Sequence, residues 1–184
     1  MKLLAWMAAV VAGLVLLAVA VGYLLLPSTA TVSREIMVAA PQTEVFAALN
    51  GFERFDQWSP WADLDPDAIS TLSGPPTGVG ARQTWRSDDP SVGSGSQEII
   101  LSEPPVRVQM KVEFAGFDAE NISTFELSPE GQATRVTWRY QTDVGRQLLG
   151  RYFLLLLEGM LAPQYEKGLV QLKAMLEQDV PDVP

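Results

Sequence analysis

The chain has 184 residues and carries 22 acidic against 13 basic side chains, which gives a formal charge of −9 at pH 7. It contains no cysteine and no histidine, so disulfides, thiolate metal centres and catalysis by either residue type are excluded. From Thr31 onward 22 acids stand against 12 bases, a net charge of −10, and such a surface repels nucleic acid and anionic bilayers. The sequence therefore predicts no nucleic-acid partner, and no motif in it indicates a cofactor or a metal.

Residues 3–26 form a run of 24 residues without a charge. As a helix this run is about 36 Å long, enough for a hydrocarbon core of about 30 Å. We predict an uncleaved transmembrane helix, with residues 1–30 as anchor and linker; a secretory signal peptide cleaved after Ala30 is the alternative. Lys2 precedes the span, which favours a cytoplasmic N-terminus and a domain outside the cytoplasm.

Residues 31–178 are predicted to form one domain that starts with a strand over residues 31–38. A helix over residues 41–49 follows, opened by a proline and carrying Glu44 in its first turn. A second short helix is predicted over residues 52–58.

Six extended segments then alternate with turns rich in Gly, Pro and Asp. They cover residues 68–73, 81–87, 96–102, 106–114, 119–127 and 134–142. Their short connections indicate antiparallel neighbours, because parallel strands need long crossovers. In residues 106–114 apolar and polar side chains alternate, which indicates one covered face and one wet face.

A long helix over residues 148–177 closes the domain, and Pro163 predicts a kink within it. A sheet with one apolar face must be covered, and this helix is the predicted element long enough to do so. The predicted fold class is therefore α+β, with a curved antiparallel sheet wrapped around the C-terminal helix and one N-terminal transmembrane helix. Residues 179–184 are predicted to be an acidic tail.

Several local sequences carry a family resemblance. They are Ala-Pro-Gln-Thr-Glu-Val-Phe at 40–46, Phe-Glu-Arg-Phe-Asp-Gln-Trp-Ser-Pro-Trp at 52–61, Gly-Pro-Pro-Thr-Gly-Val-Gly at 74–80, Gly-Ser-Gly-Ser at 93–96, and the helical stretch 160–172. Together with the element order they resemble the helix-grip fold of the START and pollen-allergen superfamily (SRPBCC), in its bacterial polyketide cyclase/dehydrase-like branch. The resemblance covers about residues 32–177. It implies an apolar cavity and binding of lipids, sterols, polyketides or other apolar molecules, and only some members are enzymes.

Strand parity and the resemblance select candidate ligand-binding side chains on the inner face of the sheet and the facing helix. The apolar and aromatic candidates are Trp58, Trp61, Trp85, Met110, Phe114, Phe125, Trp138, Tyr140, Tyr152 and Met160, and the polar ones are Gln83, Asn121 and Ser123. We expect a cavity between sheet and helix, bordered by Trp85, Met110, Phe125, Trp138 and Tyr152. The alternative is a filled core in which these rings pack together and the polar groups bond one another.

Three functions are compatible with these features. The first is a membrane-anchored module that binds an apolar small molecule or lipid, with residues 3–26 in the membrane. The second is a cyclase or dehydratase that acts through polar cavity residues other than histidine. The third is a structural module with a filled interior. The sequence does not indicate a protein partner.

Overall fold

A computed structural model describes residues 2–178 of the chain. Its helices are α1 (Lys2–Leu24), α2 (Gln42–Leu49) and α3 (Leu148–Gln178), with a 3-10 turn at Phe55–Gln57. Its strands are β1 (Thr29–Val38), β2 (Ile69–Ser73), β3 (Arg82–Arg86), β4 (Ser94–Glu103), β5 (Arg107–Phe114), β6 (Phe117–Glu130) and β7 (Ala133–Asp143). The predicted acidic tail, residues 179–184, lies outside the described residues.

The seven strands form one antiparallel sheet in the order β1-β7-β6-β5-β4-β3-β2. From β2 to β7 each strand pairs with the next along the chain, and β1 pairs with β7. The short turns explain this meander, since they leave no room for crossovers. The predicted α+β class, with a curved antiparallel sheet and a long C-terminal helix, is confirmed.

Helix α3 lies along β1 and is held to it by charged side chains. The Arg34 guanidinium donates to Glu158 at 2.8 Å and to Glu166 at 2.7 Å, and the Lys173 ammonium donates to the Met37 carbonyl at 2.8 Å. The helix continues through Pro163 without interruption. These contacts border the side of α3 that faces the sheet, on which Leu157, Tyr165 and Leu169 are buried.

Helix α2 packs against β5, β6 and β7 at one end of the sheet. Its apolar residues Val45, Phe46 and Leu49 are buried, as their helical spacing predicts. Glu44 lies in the first turn, where its negative charge interacts favourably with the helix dipole.

The second short helix predicted over residues 52–58 is wrong, because only the 3-10 turn Phe55–Gln57 forms there. Its backbone bonds span three residues, from the Phe55 N–H to the Phe52 carbonyl and from the Trp58 N–H to the Phe55 carbonyl. The segment is bracketed by Gly51, which forms an isolated bridge with Thr77, and by the turn after Trp58. On an α-helix Phe52 and Trp58, which are six residues apart, would point about 120° away from each other, whereas both are buried here.

Helix α1 is long and apolar enough to cross a membrane, and its most apolar stretch has no buried residues. Only its last turns contact the domain. Gly22 is buried there, and a side chain at this position would collide with Leu148 and approach Tyr152 to 3.0 Å. Glycine therefore allows α1 to lie directly against the start of α3.

Candidate ligand-binding site

The register of β5, β6 and β7 brings five of the candidates together on the concave face. Met110 pairs with Ser123, Ser123 pairs with Tyr140, and Phe125 pairs with Trp138. All five side chains are buried. The predicted inward parity of these three strands is confirmed, since neighbouring positions in register face the same side of a sheet.

Trp138 lies at the centre of a cluster of aromatic rings. Its ring centroid is 3.8 Å from that of Tyr165 and 4.9 Å from that of Phe125, and both pairs are stacked. The rings of Trp58 and Trp61 meet it edge-on at 5.6 and 5.9 Å. Four rings therefore surround the indole, and they occupy the space in which the sequence predicts a cavity beside Trp138.

Tyr165 is the residue of this cluster that the sequence analysis missed. It comes from α3, on the side that also carries Leu157, Leu161 and Leu169, and these four residues recur every four positions. That spacing was the available signal. This signal does not stand out in the sequence, because the first turns of α3 are apolar on every side. A second stripe, which carries Tyr152 and Met160, fits the helical spacing equally well.

Tyr152 and Met160, the two candidates chosen from that other stripe, do not face the sheet. The Tyr152 hydroxyl donates to the Ala18 carbonyl of α1 at 2.6 Å, and the Met160 side chain is 56% exposed. The expected cavity border at Tyr152 is therefore corrected: this ring lies between α3 and α1. Helical periodicity places a side chain on a stripe, but it does not tell which partner covers that stripe.

Ser123 connects the sheet to α3 inside the core. Its hydroxyl oxygen accepts the indole N–H of Trp138 at 2.8 Å and is hydrogen-bonded to the Tyr165 hydroxyl. A buried indole or phenol needs such a partner, because an unpaired donor costs about 1–3 kcal/mol. The serine thus supports the aromatic cluster from within.

Asn121 is fully buried and all of its side-chain polar atoms have partners. Its amide oxygen accepts the hydroxyls of Tyr140 and Thr142, both at 2.8 Å, and its amide nitrogen donates to the carbonyls of Val112 at 3.1 Å and Ala119 at 3.2 Å. The nitrogen that a glycan would modify is enclosed, so the Asn-Ile-Ser sequon at 121–123 is a structural feature of the strand.

Gln83 is the third polar candidate, and it lies away from the aromatic cluster. Its amide nitrogen donates to the Ser70 hydroxyl at 2.7 Å, and its amide oxygen accepts from Gln97 at 2.7 Å. It links β2, β3 and β4 at the far side of the sheet. The three polar candidates are therefore all used by the protein itself, as the filled-core alternative expects.

The buried tyrosines are held in their neutral form. Burial raises the pKa of Tyr140 to about 12, although the hydrogen bond with Thr142 opposes that rise. Burial also raises the pKa of Tyr165 well above its usual range. At neutral pH both hydroxyls keep their protons. Among residues 2–178 the buried polar side chains are hydroxyls and amides, and no group of His, Cys, Asp and Glu could hold a metal.

The concave face remains open at the end where β5 turns into β6. Phe114, predicted to face inward, is 38% exposed and contacts the half-buried Trp85 with ring centroids 5.8 Å apart. Phe117 contacts Phe153 of α3 at 6.1 Å. We call these four side chains, Trp85, Phe114, Phe117 and Phe153, the aromatic rim.

A surface depression of about 790 Å³ lies beside this rim. It is lined by Lys111, Glu113, Phe114, Gly116, Phe117, Asp118, Ala119 and Glu120. A second depression, of about 170 Å³, lies at the hairpin of β2 and β3. Both depressions lie outside the aromatic cluster. The first is bordered by Phe114 and Phe117 of the rim and by charged side chains of β5 and β6 that point to the outer face of the sheet.

Comparison with known proteins agrees with this architecture. Residues 29–177 match the family model described as polyketide cyclase / dehydrase and lipid transport. No curated protein sequence matches the chain.

Among solved structures, three similar ones illustrate the breadth of the fold. The di-domain ARO/CYC StfQ of the steffimycin biosynthetic pathway has a TM-score of 0.60 and 12% identity, over 82% of this chain and 51% of that one. A norcoclaurine synthase of Thalictrum flavum has a TM-score of 0.57 and 15% identity, over 80% of this chain and 96% of that one. An uncharacterized protein of Rhizobium leguminosarum has a TM-score of 0.57 and 21% identity, over 82% of this chain and 96% of that one. At these identities the structures show a common fold, and the family match over residues 29–177 makes the chain a member of the polyketide cyclase / dehydrase and lipid transport family.

Proposed function

We propose that the protein is a membrane-anchored module that binds an apolar small molecule or a lipid at the aromatic rim. The observation that carries this proposal is the rim itself, where inward-facing rings reach the open end of the concave face and remain partly exposed. Leaving large rings in water is unfavourable by about 25 cal/mol for each Å² of apolar surface. A flat apolar ligand that covers Phe114 and Phe153 would remove that surface from water.

The charged side chains next to the rim lie on the outer face of β5 and β6, since they alternate with the inward-facing Met110, Val112 and Asn121. Lys111, Glu113, Asp118 and Glu120 border the adjoining depression, and the ammonium of Lys111 donates to Glu113 at 2.6 Å. Binding sites of this class combine an apolar wall with a few polar contacts that set orientation. The excess of acids at this border disfavours an anionic head group.

Anchoring is assigned to α1, whose sequence has the length and apolar character of a span. In this proposal residues 3–26 stay in the mature protein. Lys2 before the span supports a cytoplasmic N-terminus and a domain on the other side. Tethering keeps the rim near molecules that are dissolved in the bilayer, which raises their effective concentration at the site.

The rival with a specific observation in its favour is a structural module. The four rings around Trp138 and the paired side chains of Asn121 and Ser123 are what a filled interior requires. The cyclase or dehydratase alternative predicts a buried ionisable side chain beside the cavity, and within residues 2–178 the buried ionisable side chains are Tyr140 and Tyr165.

The test is purification of the full-length chain in detergent, followed by organic extraction and mass spectrometry of co-purifying molecules. Retention of the neutral fluorophore N-phenyl-1-naphthylamine is measured in parallel, with empty micelles subtracted. We expect both signals for the native chain, and loss of both for Phe114→Ala combined with Phe117→Ala. Val79→Ala, an exposed apolar residue away from the rim, is the matched control and should keep both. A native chain that retains neither molecule would favour the structural module.

A further inference from the structure

The first half of α3 carries a stripe of exposed apolar side chains. Leu149, Phe153, Leu156 and Met160 are spaced at intervals of four, three and four residues, which places them within about 60° of arc on the helix. Their exposed fractions are 83%, 39%, 62% and 56%. A stripe of this kind on a helix that already buries its other side indicates a second apolar environment.

We propose that this stripe lies in the interfacial region of the bilayer that α1 crosses, as a second membrane-contacting element of the domain. The inference rests on the proposed anchoring by α1. Its occupant is the acyl-chain and headgroup boundary of the lipid leaflet on the domain's side.

Direct contacts with α1 set the depth of the stripe. The Arg151 guanidinium donates to the carbonyls of Leu26 at 3.0 Å, Tyr23 at 3.3 Å and Gly22 at 3.4 Å, which lack partners at the end of a helix. One residue further along α3, the Tyr152 hydroxyl reaches the carbonyl of Ala18. The start of α3 therefore runs beside the last two turns of α1.

The distance along α1 gives the position in the bilayer. Ala18 precedes Leu24, the last residue of α1, by six residues, or about 9 Å of helix, so a spanning α1 places the Tyr152 hydroxyl below the level of the C-terminal end of α1. An interfacial helix typically buries its apolar face about 5–10 Å into the headgroup and acyl boundary. The stripe, on the side of α3 next to Tyr152, reaches that layer.

The charges near the stripe agree with insertion into lipid. Arg151 is engaged with α1, and Glu158 is bonded to Arg34 on β1. Both charges point away from the stripe. Because the domain is acidic, attraction to lipid headgroups does not hold the stripe in place, and its contact with the membrane is apolar and insensitive to salt.

The arrangement deepens the proposed function. Phe153 belongs both to the stripe and to the aromatic rim, where it contacts Phe117. With the stripe in the interface, the rim opens onto the leaflet, and an apolar ligand passes from lipid to the rim without crossing water.

The experiment uses the absence of cysteine from the chain. Single variants Leu156→Cys, Met160→Cys, Val170→Cys and Leu14→Cys of the full-length protein carry an environment-sensitive fluorophore in vesicles of zwitterionic lipid. Nitroxide-labelled lipids and aqueous iodide are the two quenchers. Val170 is the matched control, because it is 58% exposed on the same helix and lies about 21 Å further along that helix than Leu156.

We expect lipid nitroxide to quench the labels at 156, 160 and 14 several-fold more than the label at 170, and iodide to show the reverse order. This pattern should persist at high salt. Quenching by lipid at 14 alone, with 156 and 160 resembling 170, overturns the stripe but leaves the anchor. Lack of lipid quenching at 14 overturns the anchoring as well.

Discussion

Alanine substitution at two glycines of α3 measures how tightly this helix packs against the sheet. At Gly168 an added Cβ would lie 2.9 Å from Pro60 Cδ and 2.9 Å from Trp138 Cζ3, whereas at Gly159 it would meet nothing within 4 Å. Ordinary contact begins at 3.4 Å, so alanine at 168 requires a neighbour to move. Trp138 cannot move easily, because it is stacked on Tyr165.

The two substitutions share one favourable effect and differ in one unfavourable effect. Alanine is better than glycine in a helix interior by about 1 kcal/mol at either position. Only at 168 is there an overpacking penalty of about 1–3 kcal/mol. We therefore expect Gly159→Ala to raise the free energy of unfolding by about 1 kcal/mol and Gly168→Ala to lower it by up to about 2 kcal/mol. Because the helix preference cancels, the difference between the variants measures the packing alone.

Urea unfolding of the full-length chain in one detergent, followed by near-ultraviolet circular dichroism, is the assay. The near-ultraviolet signal reports the stacked rings around Trp138, so it shows in addition whether their packing has changed. Equal stabilisation by both alanines would refute the reasoning. It would mean that free space exists between α3 and Trp138, as the sequence alone predicts.

Three further predictions concern the core and the surface. Ser123→Ala removes the acceptor of the Trp138 N–H and should lower the free energy of unfolding by about 1–3 kcal/mol. The control Ser128→Ala, at an exposed serine and measured in the same urea series, should change that free energy by less than about 0.5 kcal/mol. Because burial raises the pKa of Tyr140 from 10.0 to about 12, the folded chain holds this proton more tightly, so its contribution to stability is complete below pH 10 and is lost as the pH rises towards 12. Tyr140→Phe should reduce that alkaline loss, and an identical pH profile would contradict the assignment. Arg34→Gln breaks two ion pairs with largely exposed carboxylates and should cost less than about 1 kcal/mol in thermal melts; a larger loss would show that they act as more than surface pairs.

The sequence predicted the sheet well because strand signals are local. Alternation in β5 placed Val108, Met110 and Val112 on the covered face, and all three are buried. The turn residues limit the connections between strands to a few residues, and strands joined by such short connections pair in antiparallel orientation. Strand positions, the antiparallel pairing of successive strands from β2 to β7, and the inward parity of Ser123 and Trp138 could therefore be predicted without a structure.

The orientation of α3 could not be predicted in this way. Its first ten residues, 148–157, carry one charge and are apolar on every side, so that helical periodicity does not select a face. Tertiary contacts made the choice: Tyr165 stacks on Trp138, while Tyr152 turns to α1. The error at Tyr152 and Met160 has this single cause.

The same limit applies to the interior. The sequence determined that polar groups at 83, 121 and 123 would face inward among large rings, because strand parity is a property of the local chain. Whether those groups await a ligand or bond to other side chains depends on which side chains meet across strands. Only the tertiary structure shows that Asn121 accepts from Tyr140 and Thr142 and that Ser123 accepts from Trp138. Composition and periodicity thus predicted a helix long and apolar enough to cross a membrane, and a curved antiparallel sheet that packs around the C-terminal helix. The tertiary structure decided that the centre is filled and the rim is open, since packing depends on distances between residues that are remote in the chain.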